Sequence, residues 1–168
     1  MLNKIARAIH RRLVRFDEAL VAVLFSLPIL FAMQGGAIDA WTLAGVAVWL
    51  IAVAGETIAD RQLAAWRSDP GNAGRTCRAG LWRYSRHPNY FGEQLFWWSI
   101  AGFGIACGQP WVVVGTALNS CVLAAVTVMT ERKIAEVPER SALFADYRSR
   151  TSAWIPWPPA RSSLPNED

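Results

Sequence analysis

Gly80-Leu-Trp-Arg-Tyr-Ser-Arg-His-Pro-Asn-Tyr-Phe-Gly-Glu93 decides how this chain is read. Arg83, Arg86, His87, Asn89, Tyr90 and Glu93 fall within eleven residues, and an apolar run follows at once as far as Cys107. Pro88 fixes φ and lacks a donor, which suits a first helical turn or the residue before one. Asn89 is a favourable helix cap. The stretch therefore predicts a polar loop feeding a membrane helix, with the anion-friendly N-terminus of that helix beside the polar residues.

The layout of charge extends this reading to the whole chain. All 17 Lys and Arg fall in three blocks, at 1–16, 60–88 and 131–168, and none lies in 17–59 or 89–130. Each gap has room for two crossings and a short turn. A soluble protein spreads its basic residues over every loop, whereas a membrane protein keeps them on the cytoplasmic side. The expected fold class is thus all-α: a polytopic membrane protein of about four transmembrane helices with a C-terminal interfacial helix and both termini cytoplasmic. A hydrophobic content of 53% and nine Trp agree with it. The three cysteines have no metal-ligand spacing, their odd number argues against a disulfide framework, and no metal site is expected.

In chain order, 1–16 reads as a basic amphipathic segment, either lying on an anionic leaflet or setting topology. The helical membrane domain covers 17–160. Its crossings are expected at about 17–33, 41–59, 90–107 and 110–130, and its central cytoplasmic loop at 60–90 is the expected cofactor-binding segment. Residues 161–168 read as a disordered tail. Glu56 and Asp60 lie four apart, on one helix face. Carboxylates near a membrane helix end are costly unless paired, so they are either site residues or partners of nearby arginines. Arg67, Arg75, Arg78, Arg83 and Arg86 carry guanidinium forks suited to phosphate, or else reflect positive-inside bias or contact with lipid headgroups. No glycine-rich phosphate loop accompanies them, so a Rossmann-type domain is excluded. His87 is open to three roles: acid/base, donor to a ligand, or cap. The aromatic Trp154-Ile-Pro-Trp157 segment suits a return to the interface, closing over the loop.

The motif at 80–93, with Glu56-Thr-Ile-Ala-Asp-Arg-Gln62 upstream and Tyr147-Arg-Ser-Arg-Thr-Ser-Ala-Trp-Ile-Pro-Trp157 downstream, resembles the C-terminal domain of steroid 5α-reductase-like membrane proteins. It resembles more closely their bacterial DUF1295 branch, and the likeness covers about 41–160. The Arg-His-Pro-x-Tyr core is shared with isoprenylcysteine carboxyl methyltransferases.

The resemblance implies a membrane-embedded, NADPH-dependent reductase of a conjugated C=C bond in a lipid-like, steroid-type enone, resident in the bacterial inner membrane. The alternative it implies is a methyltransferase using S-adenosylmethionine. Cofactor-binding residues implied or suggested are Glu56, Asp60, Arg67, Arg75, Arg83, Arg86, His87, Asn89, Tyr90, Glu93, Glu131, Tyr147 and Arg148. Catalytic roles are expected of Glu93, His87 and Tyr90. Glu56 departs from the asparagine of the steroid reductases, and His87 and Pro88 replace small residues of the animal enzymes. The expected partners are a lipid-like small molecule and the membrane, without nucleic acid. The sequence leaves oligomeric state open.

Overall fold

The computed structural model describes residues 40–160. The expectations for 1–39, namely the basic amphipathic segment and the first crossing, lie outside the described residues, as does the tail at 161–168.

Among the described residues the protein is all-helical, with no strands. Helix α1 is Ala40–Ser68, α2 is Pro88–Ala106, α3 is Val112–Ala135 and α4 is Pro138–Arg150. Short 3-10 turns at Pro70–Asn72 and Gly80–Arg83 sit in the connection between α1 and α2.

Helix α1 runs past the expected end at Ala59 by more than two turns. The composition turns polar there, but Ala, Leu, Gln and Arg between 61 and 67 keep helix propensity high, and no Gly or Pro intervenes. It stops two residues short of Pro70, where the residue before a proline disfavours the helical region. Asp69 then caps the first 3-10 turn, accepting from Gly71 N at 2.8 Å. Helix α2 starts at Pro88, two residues before the expected 90, and its N-cap is His87 rather than Asn89. Proline fills the first-turn slot whose N–H would go unbonded, which moves the cap one residue upstream. The α2–α3 turn closes through Gly108 at φ +74, with Gln109 N donating to Gly104 O at 2.8 Å.

Packing runs in sequence: α1 chiefly against α2, α2 against α3, α3 against α4. The α1–α2 crossing is closest at Gly92. A Cβ there would lie 2.8 Å from Glu56 N and 3.0 Å from Ala52 O. Ala52 and Ala59 are wholly buried on the facing side. Small residues at a crossing let backbones approach, the packing mode expected where lipid replaces water.

Helices α1 and α3 are long and apolar enough to cross a membrane. Only 11% and 17% of their most apolar windows are buried, so most of that apolar surface faces outward. Leu43, Leu50, Ile51, Val114, Leu118 and Val122 all face outward.

A C-terminal helix is present, but not in the aromatic segment. The helix of this region is α4, upstream of the aromatic segment, and 151–160 is extended and non-helical. Pro156, Pro158 and Pro159 cannot donate to a helical ladder. The segment instead lies along the motif loop. Arg86 N donates to Ser152 O at 2.8 Å, His87 N to Ala153 O at 3.0 Å, and Trp157 N to Tyr84 O at 2.9 Å.

Candidate functional site

The end of α1, the start of α2 and the end of α3 meet at the basic pole of the bundle. The 69–87 connection and α4 close over them, leaving a cavity of about 470 Å³. Asp60, Trp66 and Arg67 reach it from α1, Arg75 and Cys77 from the connection, Asn89 and Tyr90 from the first turn of α2, and Tyr147 from α4.

The wall behind the cavity is built on Glu131, which is 6% exposed. Arg86 Nε donates to Glu131 Oε1 at 2.8 Å, and Arg86 Nη2 to Oε2 at 3.4 Å. Arg148 Nε lies 3.4 Å from Oε2. His87 Nε2 lies 3.1 Å from Oε1, and with a carboxylate as acceptor that nitrogen carries the proton. Arg86 Nη1 also donates to the carbonyls of Arg148 at 2.8 Å and Thr151 at 2.7 Å. One carboxylate thus ties together the motif loop, α3, α4 and the C-terminal segment. A buried carboxylate is tolerable only with such multiple charge-assisted bonds.

A second tie secures the other side. The Tyr147 hydroxyl bonds the carbonyls of Trp82 and Ser85, the latter at 3.0 Å, and burial raises its pKa. Arg78 lies over the Tyr147 ring, 5.3 Å from its centre, and pairs with Asp146 at 3.1 Å. Arg150 bonds the same Asp146 carboxylate, and the two guanidinium groups hold its pKa below the usual carboxylate value. Trp82 Nε1 donates to Ala59 O at 2.9 Å and Leu81 N to Gln62 Oε1 at 2.8 Å, pinning the motif loop to the polar extension of α1.

The expected site residues divide into two groups. Asp60, Arg67, Arg75, Arg86, His87, Asn89, Tyr90 and Tyr147 all line the cavity. Glu131 and Arg148 stand behind its wall. Arg86, though it lines the cavity, has its guanidinium engaged by Glu131 and two carbonyls. Arg83 is exposed and does not line it. Glu56 and Glu93 lie toward the apolar side, at the α1–α2 crossing, and do not line it either. Trp97 and Asn119 are polar neighbours of the Glu93 carboxylate, which makes no ion pair with Arg83 or Arg86 among the described residues.

Two details bear on what the cavity can hold. Arg67 and Arg75 make no ion pair among the described residues, unlike Arg86 beside them. Asn89 Oδ1 and Trp66 Nε1, on residues that line the cavity, are buried without a hydrogen-bond partner. Buried polar groups are nearly always paired, so an unpaired acceptor and donor beside two free guanidinium groups suit a polar, anionic ligand. Trp66 is absent from the sequence-based set because it falls on the helical extension that the sequence assigns to a loop. Nothing in its neighbourhood marks it out.

His87 is 5% exposed and stacks on Tyr90, with ring centres 5.0 Å apart at 10°. Burial lowers its pKa, against the opposing pull of Glu131. The native state therefore holds this imidazole neutral at a pH where the unfolded chain begins to protonate it. Stability is fully present above the ordinary value near 6.5 and declines as pH falls from there toward the lowered native value. Melting the purified protein between pH 7.5 and 5 should show this loss, and His87→Gln should flatten it. An identical slope in the variant would assign the loss to other groups.

One protein-family model, described as protein of unknown function (DUF1295), matches residues 3–151. No curated protein and no solved structure matches the chain.

Proposed function

The chain belongs to the DUF1295 family, and from that premise we propose that it is a polytopic membrane enzyme reducing a conjugated C=C bond of a lipid-like enone with NADPH. The topology that goes with this reading has four crossings, both termini in the cytoplasm and the cavity at the cytoplasmic surface of a bacterial inner membrane. The observation that carries it is the juxtaposition of two unpaired arginines, Arg67 and Arg75, with Asp60, Asn89 and Tyr90 around one cavity. Guanidinium groups recognise phosphate. Carboxylate and amide oxygens accept from ribose hydroxyls, and aromatic faces stack on rings. S-Adenosylmethionine carries no phosphate, and its one carboxylate sits beside an ammonium and a sulfonium, so it offers two arginines less anionic charge than the dinucleotide does, which favours the dinucleotide over the methyltransferase alternative.

When bound, the cofactor supplies a hydride to the β-carbon of the enone. The protein's share is to position both molecules and to deliver a proton to the α-carbon. Of the three residues expected to do acid/base work, His87 and Tyr90 line the cavity, and with the His87 N–H given to Glu131 the Tyr90 hydroxyl is the donor of the two. The Glu131 bond fixes the His87 ring, and the Tyr90 ring stacks on it, so the pair is held without help from a ligand. Glu93 does not line the cavity.

Thermal stabilisation in detergent tests the cofactor. NADPH should raise the melting temperature of the parent by mass action, and S-adenosylmethionine should not. Stabilisation by S-adenosylmethionine alone would replace this reading with methyl transfer. Arg67→Ala and Arg75→Ala should weaken NADPH roughly 10- to 100-fold, the worth of a charge-assisted contact of about 1.5–3 kcal/mol, and affect NADH less. Equal losses for NADPH and NADH would take these residues away from the 2′-phosphate.

A further inference from the structure

The C-terminal segment presents a surface that the cavity does not use. Ile155 is 65% exposed and Trp157 70%, and Tyr84, which bonds Trp157 through the backbone, is 42% exposed. Large apolar side chains this exposed, clustered on a short extended strap, mark a contact surface rather than ordinary surface scatter.

The position of the strap on the helices identifies the partner. Trp154 Nε1 donates to Thr127 Oγ1 at 2.9 Å, one turn closer to the apolar middle of α3 than Glu131. On that stretch of α3, Val126, Val128 and Met129 face outward. On the other side, Tyr84 follows Leu81 and Trp82, which bond Gln62 and Ala59 at the polar end of α1. The strap therefore meets α3 where that helix is apolar and outward-facing, about one helical turn, or ~6 Å, inside the level of Glu131. Arg83 stands exposed next to Tyr84. Apolar and aromatic side chains at this depth with a basic residue beside them match the headgroup–acyl boundary of a phospholipid leaflet.

We propose that Tyr84, Ile155 and Trp157 form a ledge that rests in the lipid interface. The strap behind it accepts from Arg86 N and His87 N through Ser152 O and Ala153 O, and Ser85 Oγ donates to Ala153 O at 3.1 Å. The bilayer surface thereby supports, through the strap, the loop that forms the cavity wall. The proposal rests on the membrane reading given above, but not on the identity of the cofactor.

Site-directed nitroxide labels in vesicles of phosphatidylcholine and phosphatidylglycerol test it. Cys121, exposed midway along α3, is the reference once Cys107 is serine, and Cys77 is buried. Ile155→Cys and Trp157→Cys are then labelled one at a time with Cys107 and Cys121 both serine. The reference label should collide readily with oxygen and hardly with a water-soluble nickel chelate. Labels at 155 and 157 should give intermediate values, as expected at the headgroup–acyl boundary. If the reference is in lipid while both strap labels meet the chelate as a free aqueous label does, the ledge is overturned and the membrane reading stands. Strap labels screened from both collision partners would mean that protein covers the ledge, which also overturns it. A reference label open to water would overturn the membrane reading and the ledge with it.

Discussion

Glu131→Ala should destabilise the protein by about 3–5 kcal/mol, the cost of removing one partner from a buried charge pair. The carboxylate is 6% exposed and answers to three side chains at once. Without it, the Arg86 guanidinium stays buried with only carbonyls for company, and His87 loses its acceptor. Glu131→Gln keeps the shape and one acceptor oxygen but removes the charge, so a smaller but clear loss is expected. Chemical denaturation in detergent micelles, followed by circular dichroism, gives both values. The damage should spread to the cavity, because the motif loop, α4 and the C-terminal segment are joined through this group. An alanine variant as stable as the parent would mean that the lock contributes nothing beyond what the backbone bonds already supply.

Gly92→Leu is expected to prevent α1 and α2 from closing, with a loss above the ~1–3 kcal/mol usual for overpacking. Even alanine puts its Cβ 2.8 Å from Glu56 N and 2.9 Å from Glu56 Cβ. The first obstacle is backbone, which cannot rotate away as a side-chain end can. Gly102→Ala on the same helix is the control. Nothing lies within 4 Å of a Cβ there, and alanine improves helix propensity, so the control should be neutral or slightly stabilising. Equal melting temperatures for Gly92→Ala and Gly102→Ala would show that the crossing is looser than the structure has it.

The site and the fold also bear differently on function. Eight of the expected cofactor residues converge on one cavity although they come from three helices and a loop. Glu131, Arg148 and Tyr147 act on the site by holding its walls, and their substitution should change stability together with any binding. Arg67 and Arg75 have no such structural duty, so their loss should change binding alone. That separation allows the proposed reductase chemistry to be tested without confusing a lost ligand contact with a loosened scaffold.

The helical class, the two long apolar helices and a helix opening within the His87–Tyr90 turn were determined by the sequence. Each follows from local chemistry: long apolar runs, proline geometry and the confinement of basic residues to three blocks. The length of α1 was decided against local appearance, because helix propensity persisted after hydrophobicity ended, and this brought Trp66 to the cavity. Only the tertiary structure decided which arginines are spent and which are free. Arg67, Arg75, Arg83 and Arg86 look alike in the chain, yet Arg86 lies within reach of a carboxylate 45 positions away while Arg67 and Arg75 line the cavity with no ion pair among the described residues. Glu93 was likewise turned toward Trp97 and Asn119 by the packing of α2 on α3. Charge pairing depends on distances of a few ångströms between residues remote in sequence, and no local pattern encodes those.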